Sequence, residues 1–129
     1  MLNTDSLRIL DLGEISCSHR IAWYKGKCSN IHGHNYRIKL YVEGDNKAWL
    51  DFVNLSSVAK EVIMKYDHKD ITTKFGIETA EQFAERLYNE IKEKYEEKKI
   101  PFKEIYVEVW ETSKFGVLYP YESTCKRNI

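Results

Sequence analysis

The sequence predicts an α+β fold, an antiparallel sheet covered on one face by two helices. Three observations lead there. Segments near both ends alternate apolar and polar residues with period two, as half-buried strands do. The middle of the chain holds two stretches with apolar residues at helical spacing. The resulting order, strands, helix, helix, strands, segregates helices from strands as an α+β domain does.

The elements follow in order. Ile15, Cys17 and His19 share one face of a first strand, and His32, His34, Tyr36, Ile38, Leu40 and Val42 share one face of a second. The opposite face of the second carries Asn35, Arg37, Lys39 and Glu43, a solvent pattern. "EGDNK" reads as a turn, and "AWLDFV" as a returning partner strand. Leu55, Val58, Ala59, Val62, Ile63 and Tyr66 then fall at helical spacing behind Asn54, read as the N-cap. A second helix begins at Thr79, with Gln82 completing a capping box and Ala80, Phe83, Ala84, Leu87 and Ile91 as its buried stripe. Its end, "KEKYEEKK", is a solvated face. After Pro101, Ile105, Val107 and Val109 point one way and Tyr106, Glu108 and Trp110 the other; a last strand passes through "GVLYPYE".

The totals limit the function. A chain of 129 residues is expected to form one domain, residues 1–129, that buries a core without staples. Twenty basic residues balance twenty acidic ones, so no global field favours nucleic acid or an anionic membrane. No apolar run approaches the length of a bilayer span, and the start "MLNTDSLRIL" lacks a signal-peptide pattern. Three widely spaced cysteines do not make a disulfide framework, and a reducing cytoplasm is the expected setting.

The ends of the apolar faces are unusual. His19 ends that of the first strand, His32 and His34 begin that of the second, and Glu111 ends that of the strand from Ile105. Parity puts three imidazoles and a carboxylate on the inward side, where groups without partners cost several kcal/mol each. Alternate residues of a strand lie about 7 Å apart on one face. His-x-His by itself also suits a hydrogen-bonded pair near a strand end. With His19 on a matching face, the set matches a catalytic zinc site with three protein ligands and a fourth position open.

Other residues leave alternatives open. Cys28, four residues before His32, could complete a closed zinc site, act as a base or nucleophile with its thiol pKa lowered by nearby positive charge, or be inert. Cys17, on an apolar face, and Cys125, near the end of the chain, are read as inert. Asp67 and His68 are neighbours that could hold one imidazole tautomer, though adjacent residues often face apart.

The segments "ISCSHRI", "KCSNIHGHNY", "WLDFVNL", "YDHKDI", "ETAEQFAERL" and "VEVWET" resemble, in order and spacing, the 6-pyruvoyltetrahydropterin and 6-carboxytetrahydropterin synthase family. The resemblance runs from about Ile15 to Thr112. It implies the tunnelling fold, ββααββ subunits that join their sheets into a barrel, as homo-oligomeric trimers or hexamers with active sites shared between subunits. It implies 7,8-dihydroneopterin triphosphate as substrate and Zn2+ held by His19, His32 and His34. Cys28 would be the general base, Asp67 and His68 from a neighbouring subunit would relay protons, and Glu111 would bind the pterin edge. The three residues between Cys28 and His32 resemble the 6-carboxy enzymes. These form 6-carboxy-5,6,7,8-tetrahydropterin, release acetaldehyde and triphosphate and lead to 7-deazapurines, including queuosine. The alternatives are a 6-pyruvoyl synthase that eliminates triphosphate without C–C cleavage, or a non-catalytic zinc-binding protein.

Overall fold

The computed structural model describes residues 6–26, 29–44 and 49–121. It contains β1 (Leu7–His19), β2 (His32–Gly44), α1 (Phe52–Met64), β3 (Lys69–Asp70), α2 (Ile71–Phe75), α3 (Ala80–Glu97), β4 (Phe102–Trp110) and β5 (Gly116–Tyr119). The five strands form one sheet in the order β3-β1-β2-β4-β5. β1–β2, β2–β4 and β4–β5 are antiparallel, whereas the two-residue β3 runs parallel to β1. The α+β class is therefore observed, with three helices and five strands in place of the expected ββααββ set.

A bulge positions the site. β1 and β2 pair as Asp11↔Lys39 and then Glu14↔Arg37, so β1 carries one extra residue. Gly13 takes φ +87° there, a region costly for side-chain-bearing residues, and its N–H donates to Asp11 Oδ1 at 2.9 Å. The extra residue switches parity. Leu10 and Leu12 face the core before it; Ile15, Cys17 and His19 face the core after it.

In "AWLDFV", residues 49–51 are irregular and Phe52 and Val53 begin α1, so this described part is not a strand; Ala48, and residues 45–47 of the expected "EGDNK" turn, lie outside the described residues. β2 already pairs with β1 on one side and β4 on the other, so no edge is free for it. Asp51 instead caps α1, with Oδ1 accepting the Val53 N–H at 3.0 Å, one of the donors a helix start leaves unpaired. The N-cap is thus Asp51, not Asn54, which lies inside the first turn. Tyr66 falls just beyond the helix yet stays fully buried. The capping box of α3 forms as expected, and its stripe of Ala80, Phe83, Ala84, Leu87 and Ile91 is buried, joined by Tyr95.

Ile38, Leu40 and Val42 of β2 pair with Val109, Val107 and Ile105 of β4, and all six are fully buried. α1 and α3 lie over this face, their apolar residues sharing one core with it. At one end of that core Tyr36, Tyr66 and Phe83 pack edge to face, with ring centroids 5.3 Å apart for both Tyr36–Phe83 and Tyr66–Phe83. Among the described residues no helix is long and apolar enough to cross a membrane.

Candidate metal centre

The β1–β2 ladder places Cys17 opposite His34 and His19 opposite His32, so the register alone gathers three histidines at one end of the sheet. Their ring centroids lie 4.5 Å (His19–His32), 5.1 Å (His19–His34) and 4.9 Å (His32–His34) apart. One nitrogen from each falls within 4.8 Å of the others. His19 is buried, at 2% exposure; His32 and His34 are partly open to solvent.

Two backbone carbonyls orient this cluster. Glu78 O is 2.6 Å from His19 Nδ1, and Asn30 O is 2.8 Å from His32 Nδ1. A carbonyl only accepts, so each Nδ1 carries a proton, which leaves Nε2 as the nitrogen each ring offers to a ligand. Such outer partners typically fix the tautomer of a metal-ligating histidine. Burial holds the His34 imidazole below its ordinary pKa; Glu111 opposes this, and His19 and His32 add to it. A neutral ring is the form that ligates.

His19 Nε2 has less than 1 Å² of exposed surface and, among the described residues, no hydrogen-bond partner. Glu111 Oε1 is 3.3 Å from it and 3.9 Å from His34 Nε2, off the line of a hydrogen bond. A buried ring nitrogen this close to a carboxylate calls for a proton or a metal cation between them. The donor set, three imidazoles with a carboxylate beside them, therefore fits a divalent metal such as zinc.

Tyr36 lies beneath, its ring 5.9 Å from that of His19 and 5.6 Å from that of His34. It is fully buried, its hydroxyl finds no partner among the described residues, and burial pushes its phenol well above the usual pKa. The sequence marked Tyr36 only as an apolar-face residue. The Glu78 carbonyl was also missed as part of the site; its signal is the capping box that follows it.

Asp67 and His68 do face each other, with His68 Nδ1 3.1 Å from Asp67 Oδ2. The pair is tied to β1: Ser16 N–H donates to Asp67 Oδ1 at 2.9 Å, and the His68 N–H donates to Ser16 O at 2.6 Å. His68 is 80% exposed, with φ +60°, and borders a cleft of about 400 Å³ that Ser16, Ser18, Gly33, Asn35 and the triad's own His34 also line. Ser16 and Asn35 hydrogen-bond on the face of the ladder opposite Cys17 and His19. Among the described residues no hydrogen bond, ion pair or ring contact joins Asp67 or His68 to the triad. The Asp67 carboxyl is held below its usual pKa by the Ser16 N–H first and by His68, against some burial.

Cys28 and Cys125 lie outside the described residues. Cys17 is buried as expected. Its thiol donates to Tyr66 O at 3.2 Å, and burial together with Asp67 raises its pKa to about 12. That is the signature of an inert thiol.

Fold and site together define an α+β domain with a three-histidine centre at one end of its sheet. The family model for 6-pyruvoyl tetrahydropterin synthase matches residues 9–122. A 6-carboxy-5,6,7,8-tetrahydropterin synthase of Haemophilus influenzae is 30% identical over 105 residues, covering 58% of this chain and 74% of its own. An Archaeoglobus fulgidus protein carrying that name as a provisional assignment is 33% identical over 82 residues, covering 61% and 70%. Among solved structures, the 6-pyruvoyl tetrahydropterin synthase of Plasmodium falciparum aligns with a TM-score of 0.71 at 20% identity, covering 90% of this chain and 97% of that one. That of Caenorhabditis elegans aligns at 0.70 and 22%, covering 92% and 96%. The chain belongs to the 6-pyruvoyl tetrahydropterin synthase family.

Proposed function

We propose that this protein is a zinc-dependent lyase. It converts 7,8-dihydroneopterin triphosphate and water to 6-carboxy-5,6,7,8-tetrahydropterin, acetaldehyde and triphosphate, a step toward 7-deazapurines such as queuosine. The observation that carries the reading is the convergence of His19, His32 and His34, two of them with Nδ1 engaged by a carbonyl. Zinc held there would supply a Lewis acid that acidifies C–H bonds next to the substrate's side-chain hydroxyls. The names of the curated relatives and the short spacing from Cys28 to His32 support the 6-carboxy product over the 6-pyruvoyl one.

The remaining roles belong to the chain's own groups. Cys28 removes a side-chain proton. Asp67 holds His68 in one orientation, so that the imidazole can take up and return that proton. Glu111 presents two acceptor oxygens, which suit the paired N–H donors of a pterin edge. In this reading His68 serves the triad of a neighbouring subunit, a role its 80% exposure suits. A trimer or hexamer would also cover the edge strands β3 and β5 and the exposed Leu7, Ile9 and Leu118.

The test is mass spectrometry of products from zinc-loaded protein and 7,8-dihydroneopterin triphosphate. 6-Carboxytetrahydropterin with acetaldehyde is expected, and Cys28→Ala should keep its zinc while losing turnover. A pyruvoyl product would move the protein to the non-cleaving reaction. No turnover, or loss of zinc from Cys28→Ala, would refute the lyase reading.

A further inference from the structure

One hydroxyl ties together the two chain segments that hold His19. His19 is the last residue of β1, and the chain leaves it through Arg20. Thr72, in the first turn of α2, meets that exit: its Oγ1 accepts the Arg20 N–H at 2.9 Å. The same hydroxyl donates to Ile77 O at 2.7 Å, with Arg20 O at 3.3 Å as a longer second acceptor for its one proton. Thr72 is itself held in place. Asp70 Oδ1 accepts its N–H at 3.2 Å, and Asp70 pairs with Ser18 of β1.

The Ile77 carbonyl and the Glu78 N–H belong to one planar peptide unit. Thr72 grips that plane at its oxygen, and Gln82 Oε1 accepts its N–H at 2.7 Å. The next unit is held too, because the Thr79 N–H donates to the same Gln82 oxygen at 3.3 Å. Both peptide planes that flank Glu78 are therefore fixed. Its carbonyl, which belongs to the second of them, is left 2.6 Å from His19 Nδ1.

We propose that Thr72 is a positioning residue of the histidine centre. Its hydroxyl fixes the Ile77–Glu78 peptide and, through the Glu78 carbonyl, sets the pose of the His19 ring. It acts through the backbone, so it governs how well the three rings converge and takes no part in their chemistry. The inference rests on the reading that the triad holds a metal.

Two readouts on the full chain test this, zinc affinity by chelator competition and the imidazole proton resonances of the metal-free protein. Thr72→Val should lose about tenfold in affinity, as loss of an outer-shell partner does, and Thr72→Ser should bind zinc as wild type does. Thr73→Val is the control: it removes a hydroxyl of the same helix, one that donates to Asp70 Oδ2 at 2.9 Å, and should leave affinity unchanged. Thr72→Val combined with Gln82→Ala should lose less than the product of the two single losses, because both act on one peptide unit. Without metal, the His19 ring resonances should move in Thr72→Val and stay in Thr73→Val. Unchanged affinity or an unmoved His19 signal in Thr72→Val would overturn the proposal. So would equal losses in the two valine variants, no recovery with serine, or a double variant that simply multiplies the single losses. Failure of the metal reading shows separately: His32→Ala would then bind zinc as well as wild type does, while the His19 signal still reports on Thr72.

Discussion

Gln82→Ala tests whether a helix cap governs the candidate metal centre. The Gln82 side chain accepts the N–H of Glu78 at 2.7 Å and that of Thr79 at 3.3 Å. The carbonyl of Glu78 in turn fixes His19 Nδ1 at 2.6 Å. Removing the amide takes away half of the capping box but leaves Thr79 Oγ1, which accepts from Gln82 N at 3.1 Å. Both freed donors are exposed, so water replaces the amide and the loss of stability should be about 0.5 to 1 kcal/mol, the lower end for a cap. Outer-shell changes cost about tenfold to a hundredfold in metal affinity. Gln82 acts one step further out, through a peptide unit, so about tenfold, or ~1.4 kcal/mol, is expected. Asp51→Ala is the matched control: it removes the N-cap of α1 at a similar cost and has no link to the triad. Urea denaturation of the metal-free proteins gives the stabilities, and chelator competition gives the zinc affinities. If both variants weaken zinc equally, or Gln82→Ala leaves it unchanged, the chain from cap to carbonyl to imidazole is not what orients His19.

Two further outcomes follow from the packing and the charges. Phe83→Ala removes a fully buried ring that packs against both Tyr36 and Tyr66, and should cost about 3 to 5 kcal/mol in a urea titration, with zinc affinity falling as Tyr36 loosens beneath the histidines. The Asp67 carboxyl has a lower pKa folded than its ordinary value of about 3.9. Its contribution is therefore present above that value and lost as pH falls through the folded pKa, where the unfolded chain binds the extra proton. Wild type should lose more stability between neutral pH and pH ~3 than Asp67→Asn does; equal acid sensitivity would show that the Ser16 N–H and His68 do not stabilise the ionised form.

Much of this was legible in the residues because periodicity reports which way side chains point. The alternation from His32 to Val42 put both histidines on the core face, and Ile105, Val107 and Val109 did the same for Glu111. The Thr79–Gln82 capping box was legible because its bonds are local. Where periodicity broke, the reading stopped. β1 begins at Leu7, not near Ile15, because the bulge at Gly13 moves the core face from even to odd positions. "AWLDFV" was misread because its hydrophobicity suits a strand, while the edge it needed was taken by β4, more than fifty residues later.

The sequence by itself determined the fold class, the family and the identity of the three histidines and the nearby carboxylate. Residue type and strand parity are local properties, and they survive without any knowledge of the partner strand. Only the tertiary structure decided how these groups meet. Register put His19 opposite His32, a carbonyl before α3 set the His19 tautomer, and the β4–β5 turn brought Glu111 Oε1 to 3.3 Å from Nε2. Asp67 and His68, adjacent in the chain, are held together at the edge of β1 by the Ser16 backbone. Distances between such groups depend on contacts between residues far apart in sequence, and those exist only once the sheet has closed around its core.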